Sequence, residues 1–132
     1  MKTLLEAIAQ MEGFYKHGSR PQRNNSPGDL VYGSEAIRFG ATSGDPHYAV
    51  FPTPAVGWMA LRSWLMIPAK FEDGKLVGGY RGATLGECIF RFAPPTENNS
   101  MSYLLEVCEL TELKPDTIVT EDLLGFDMED VK

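Results

Sequence analysis

The feature that most restricts this 132-residue chain is the run Arg20-Pro21-Gln22-Arg23-Asn24-Asn25-Ser26-Pro27-Gly28-Asp29. Each proline removes a backbone donor, and Asn side chains compete for neighbouring backbone groups, so the run reads as an irregular loop of fixed shape, not as helix or strand. Directly before it, Leu4, Leu5, Ile8, Met11 and Tyr15 recur at helical spacing and make one apolar stripe. An amphipathic helix therefore starts at Leu4 and stops at Gly13. Glu12 lies on the flank of the stripe, whereas Glu6 falls with Gln10 on the wet side.

A carboxylate in the last turn faces the negative end of the helix dipole, where a lysine would be favoured. Bordering an apolar face as well, Glu12 is a candidate for a carboxyl kept protonated, as a general acid requires. The plainer reading is a solvated helix-end glutamate.

Charge narrows the function classes. Of the net −6, Glu121, Asp122, Asp127, Glu129 and Asp130 against Lys132 account for −4, leaving about −2 for residues 1–120. The chain is read as one domain over residues 1–120 with an acidic tail over 121–132. Without a basic face it is not expected to bind nucleic acid. Glu6 and Gln10 interrupt the short N-terminal apolar segment, so neither a signal peptide nor a membrane span is expected, and the chain starts out cytoplasmic. Cys88 and Cys108 lack the partners of a metal site and read as two buried thiols, with a bridge between antiparallel helices left open. His17 and His47 with Asp45 have no recognisable ligand spacing, so neither metal nor cofactor is expected.

In chain order, residues 30–32, 36–39 and 48–51 read as short strands, with Gly40, Ser43, Gly44, Asp45 and Pro46 turning between the last two. Glu35, Asp45 and His47 lie near the tips of this small β-subdomain. Thr53 or Pro54 opens a long helix ended by Pro68, in which Trp58 and Trp64 face different ways, one for core and one for a cleft. Residues 71–81, with Asp73-Gly74, form a loop or small hairpin. Thr84 and Glu87 have capping-box spacing before Leu85, Cys88, Ile89 and Phe92; Pro94-Pro95 ends that helix. Thr96 or Asn98 starts another, with Met101, Leu104, Leu105 and Cys108 inward, and a short segment over 118–124 closes the fold. The fold class is α+β, mostly helical, with a small β-hairpin subdomain.

Four segments in this order carry a resemblance: Ile8-Ala9-Gln10-Met11-Glu12-Gly13; Arg23-Asn24-Asn25-Ser26-Pro27-Gly28-Asp29-Leu30; Tyr48-Ala49-Val50-Phe51-Pro52 followed by Gly57-Trp58-Met59-Ala60-Leu61; and Phe92-Ala93-Pro94-Pro95-Thr96-Glu97-Asn98 followed by Tyr103. Together, over roughly residues 5–120, the chain resembles a family of small phage and bacterial lysozyme-like domains and, more distantly, goose-type lysozymes and soluble lytic transglycosylases. The resemblance implies a lysozyme-like fold and cleavage of the β-1,4 bond between N-acetylmuramic acid and N-acetylglucosamine in peptidoglycan. It implies Glu12 as the catalytic acid, Asn98 and Tyr103 lining the sugar site, and Asn24 and Asn25 shaping the loop beneath it; Tyr48 joins them as a candidate sugar contact. Gly13 stands where the transglycosylases usually carry Ser, and Asp29 where the closer family more often has Asn.

A water positioned by Asp45 or Glu35 would give inversion, with the carboxyls ~6.5–9.5 Å apart. With one effective acid, the muramoyl 6-hydroxyl would attack instead, as in a lytic transglycosylase. The expected partner is peptidoglycan or a related N-acetylhexosamine polymer, bound by a monomer after release to the cell wall. A non-catalytic wall-binding module and a virion structural protein are the alternatives.

Overall fold

The computed structural model describes residues 1–125. Helix α1 (Leu4–Glu12) begins on a reciprocal capping box, in which Thr3 Oγ1 accepts from the Glu6 N–H at 3.1 Å and Glu6 Oε1 accepts from the Thr3 N–H at 2.9 Å. Glu6 is therefore a cap and not merely a solvated residue, and the hydrogen bond from the Thr3 backbone holds its carboxyl below its ordinary range. Leu4, Leu5, Ala7, Ile8 and Ala9 are buried, but Tyr15, placed on the stripe by its spacing, is exposed. The reason is the helix end: Gly13 turns left-handed at φ 87°, and the N–H groups of Gly13 and Phe14 return to the carbonyls of Gln10 and Ala9.

The chain forms two compact units, one from Met1–Ala7 with Leu65–Leu124 and one built on Ile8–Trp64, the division falling within α1 and α4 (Pro54–Met66). The unit built on Ile8–Trp64 contains α2 (Arg20–Arg23), α3 (Ser34–Arg38), β1 (Ser43–Gly44) and β2 (Ala49–Val50). Two sequence expectations are corrected here. Residues 20–23 make a helical turn, because the Ser19 side chain caps it by accepting from the Gln22 N–H and Pro21 sits in the first turn, where no N–H is needed. Residues 34–38 are helical, so 36–39 is not a strand; one turn buries Ala36 and leaves Ile37 and Arg38 outside. The strand pair is antiparallel with Ser43 opposite Val50 and Gly44 opposite Ala49, and residues 30–32 add only a bridge from Val31 to Tyr48.

The unit of Met1–Ala7 with Leu65–Leu124 holds the antiparallel pair β3 (Lys70–Glu72) and β4 (Lys75–Gly78), then α5 (Leu85–Phe92) and α6 (Ser100–Thr111). The Thr84 and Glu87 box caps α5 with bonds of 2.9 and 3.1 Å in the two directions. Helix α6 starts at Ser100, not at Thr96 or Asn98, because Asn99 caps it while the Glu97 and Asn98 N–H groups turn back to Pro94. Its inner face is Ser100, Tyr103, Leu104, Val107 and Thr111, whereas Met101 and Leu105 are exposed and Cys108 is half-buried. Ser100 and Thr111 are tolerated inside because their hydroxyls donate to the carbonyls of Ala93 and Val107.

Both cysteines are free. The Cys88 thiol donates to the Tyr80 carbonyl at 3.2 Å, and burial, reinforced by the nearby Glu87 charge, pushes it up to about 12. The described residues are thus mostly helical α+β with two small strand pairs. Among the described residues no helix is long and apolar enough to cross a membrane. Of the acidic tail, residues 126–132 lie outside the described residues.

Candidate functional site

Glu12 is the last residue of α1 and is half-buried. The turn behind it is tied down: Ser19 Oγ donates to the Gly13 carbonyl at 2.7 Å, the Gly18 N–H to Gln22 Oε1 at 2.6 Å, and Arg23 Nη1 to the Gly18 carbonyl at 2.9 Å. Phe14 meets Trp58 edge to face at 5.5 Å, so Trp58 belongs to the core. Trp64, half-buried, packs edge-on against Phe39.

The loop that follows α2 is held from several sides. Its interior is polar but mostly bonded: Ser26 Oγ accepts from the Leu30 N–H, the Asn24 carbonyl accepts from the Phe51 N–H, and Asn25 Nδ2 donates to the Phe51 carbonyl at 3.0 Å. Asn25 and Asp29 are left-handed at φ 53° and 47°, a conformation that Asn and Asp accept more readily than most side chains. The loop also lies on α4, where a Cβ at Gly57 would fall 1.7 Å from the Asn25 carbonyl oxygen. Asn24 is 3% exposed, and its Nδ2 is buried with no acceptor among the described residues.

Arg20 closes the loop. Its Nε and Nη2 grip both carboxylate oxygens of Asp29 at 2.6–3.1 Å, and its guanidinium lies 3.4 Å from the centre of the Tyr48 ring. The hydrogen bonds to Asp29 hold the guanidinium above its ordinary range. One side chain thus joins α2, the end of the loop and the residue leading into β2.

The unit built on Ile8–Trp64 holds Glu12, Asn24, Asn25, Asp45 and Tyr48; Asn98 and Tyr103 belong to the other. Asn24, Asn25 and Tyr48 come together as parts of one braced loop, with Tyr48 half-buried beneath Arg20. Asp45 stands exposed in the β1–β2 turn, with its carboxylate 3.9 Å from Arg23 Nη2, and Glu35 is exposed beside Arg38 at 3.8 Å. His17 and His47 are exposed. Asn98, also exposed, lines an open concavity with Phe90, Pro95, Asn99, Ser100 and Met101, and Tyr103 is buried. Sequence reasoning missed Arg20 as the clamp and Gly57 as the loop's seat. The available signal was an opposite charge at each end of a Pro- and Asn-rich run.

Chemically, this unit offers a half-buried acid at a fixed helix end and a loop braced by its own hydrogen bonds and by the Arg20–Asp29 pair. Compared with protein-family models and with curated proteins, the chain matches none.

Proposed function

We propose that the chain is a muramidase-type peptidoglycan hydrolase, with Glu12 as general acid at the β-1,4 bond between N-acetylmuramic acid and N-acetylglucosamine. The observation that carries this reading is the half-buried residue Glu12 at the end of α1, on a turn joined to the braced loop through Ser19 and Gly13. Departure of a sugar hydroxyl requires a proton donor, and Glu12 is the half-buried acid at this helix end.

Glu12 gives its proton to the leaving oxygen as the C1–O bond breaks, and positive charge develops at C1. In hydrolysis a water then adds to C1 and passes its proton to a base, for which Asp45 is the candidate in the same unit. In the transglycosylase variant the muramoyl 6-hydroxyl adds instead, returns its proton to Glu12 and leaves an anhydro end. Acting on the wall, the protein would work outside the cytoplasm as a monomer.

Mass spectrometry of purified peptidoglycan after incubation tests this. Wild type is expected to release muropeptides, with reducing ends marking a hydrolase and anhydro ends a transglycosylase. Glu12→Gln is expected to lose about 10²–10⁴-fold in rate while remaining folded. A fully active Gln variant overturns the assignment. Intact wall after treatment with folded wild type would point to a wall-binding or virion structural role.

A further inference from the structure

We infer that Tyr32 is a stacking platform for one hexopyranose ring of a glycan, a sugar contact additional to those considered above; this rests on the glycan-cleaving reading of the same unit. Tyr32 is 41% exposed, yet its ring is not loose. One side of it lies against the backbone of Gly44, where an added Cβ would sit 2.8 and 2.9 Å from ring atoms Cδ2 and Cγ and 3.0 Å from the Pro46 carbonyl oxygen. Only glycine lets the ring approach so closely.

The backbone beneath is pinned as well. The Tyr32 N–H donates to the His47 carbonyl at 2.8 Å, and the neighbouring Val31 bridges to Tyr48, which itself lies under Arg20. The ring is therefore oriented before any ligand arrives, which reduces the ordering cost of binding.

The surroundings indicate the chemical class. A pyranose ring presents an apolar C–H face and a rim of hydroxyls, so it suits a flat aromatic surface bordered by polar groups. Asp45 and His47, both exposed, are on the turn that carries Gly44, and Ser34 and Glu35 follow Tyr32 closely in the chain, also exposed. Val31, beside Tyr32 in the chain, is also exposed, so it is the glycan-cleaving reading of this unit, not the extent of apolar surface, that selects a sugar over a protein as the occupant.

The test is calorimetric titration of hexa-N-acetylchitohexaose into the Glu12→Gln protein, which binds without turnover, alone and combined with Tyr32→Ala, Tyr32→Phe, Tyr32→Leu or Gly44→Ala. Tyr32→Ala is expected to weaken binding about tenfold and Tyr32→Phe to stay within about twofold of the parent. Gly44→Ala, which displaces the ring, should fall between. Tyr32→Leu keeps apolar bulk without a flat face and should behave like Ala; it serves if the Ala variant fails to fold. Parent-level affinity in folded Tyr32→Ala or Tyr32→Leu overturns the platform and leaves the hydrolase reading standing. Absence of both chitohexaose binding by the parent and wall cleavage by wild type overturns the two together.

Discussion

The molecule closes two antiparallel strand pairs by different physics. In β3–β4 the turn is local: Asp73 and Gly74 are both left-handed, at φ 50° and 75°, and Glu72 pairs with Lys75 across them. Most of its residues are exposed. The β1–β2 pair has a local closing bond from the Asp45 N–H to the Tyr48 carbonyl, and it is braced in addition by residues far away in sequence. Val31 bridges to Tyr48, Arg20 lies on the Tyr48 ring and grips Asp29, and Asn24 and Asn25 bond the backbone of Phe51. A hairpin defined from outside can hold side chains where a local turn would leave them free to move. The platform proposed at Tyr32 packs against this pair at Gly44, and Asp45, proposed as the base, is in its turn.

Gly57→Ala should break that external definition most severely. The new Cβ would meet the Asn25 carbonyl oxygen at 1.7 Å and the Asn25 carbonyl carbon and Pro27 Cδ at 2.9 Å, so loop or helix must shift. A loss of about 3 kcal/mol in denaturant unfolding is expected. Wild-type stability would show that the loop is not seated on α4.

Arg20→Ala should come second. It strips the partner from a carboxylate whose side chain is only 6% exposed, while Arg20 itself is 43% exposed and partly screened, so about 1–2 kcal/mol is expected. Arg20→Lys should recover little of this, because an ammonium can neither grip two oxygens in one plane nor stack on Tyr48 in the same way. Full recovery by Lys would reduce the clamp to a simple charge pair.

The same contrast separates what can be read in the sequence from what cannot. Thr84 with Glu87, Asp73 with Gly74, Pro54 at the head of α4, and Leu4 to Glu12 followed by Gly13 are all decided within a few residues, and each forms the element its pattern implies. Residues 36–39 carry strand-like side chains, yet the chain turns helical after Gly33 and buries only Ala36 of α3. Helix α6 has its face set by where Ser100 docks on Ala93, and sequence spacing alone assigned Met101 and Leu105 inward. In the candidate site, the position of Glu12 at a helix end is legible because a glycine follows it. The Arg20–Asp29 clamp is marked only by the opposite charges at the two ends of the run, which carry no period and do not show that the two side chains meet.

The smallest effect should come from the pair built by local rules. Gly74→Ala meets nothing within 4 Å, so its only cost is forcing a Cβ into a left-handed turn at φ 75°, about 1 kcal/mol. Hydrogen-exchange protection should fall across residues 70–78, and wall cleavage and chitohexaose affinity should stay at their wild-type levels. Gly74→Asn should recover much of the protection, because Asn tolerates the left-handed region. If Gly74→Ala instead weakened glycan binding as Gly44→Ala is expected to, β3–β4 would not be the self-contained element its turn implies, and the division of labour between the two hairpins would be lost.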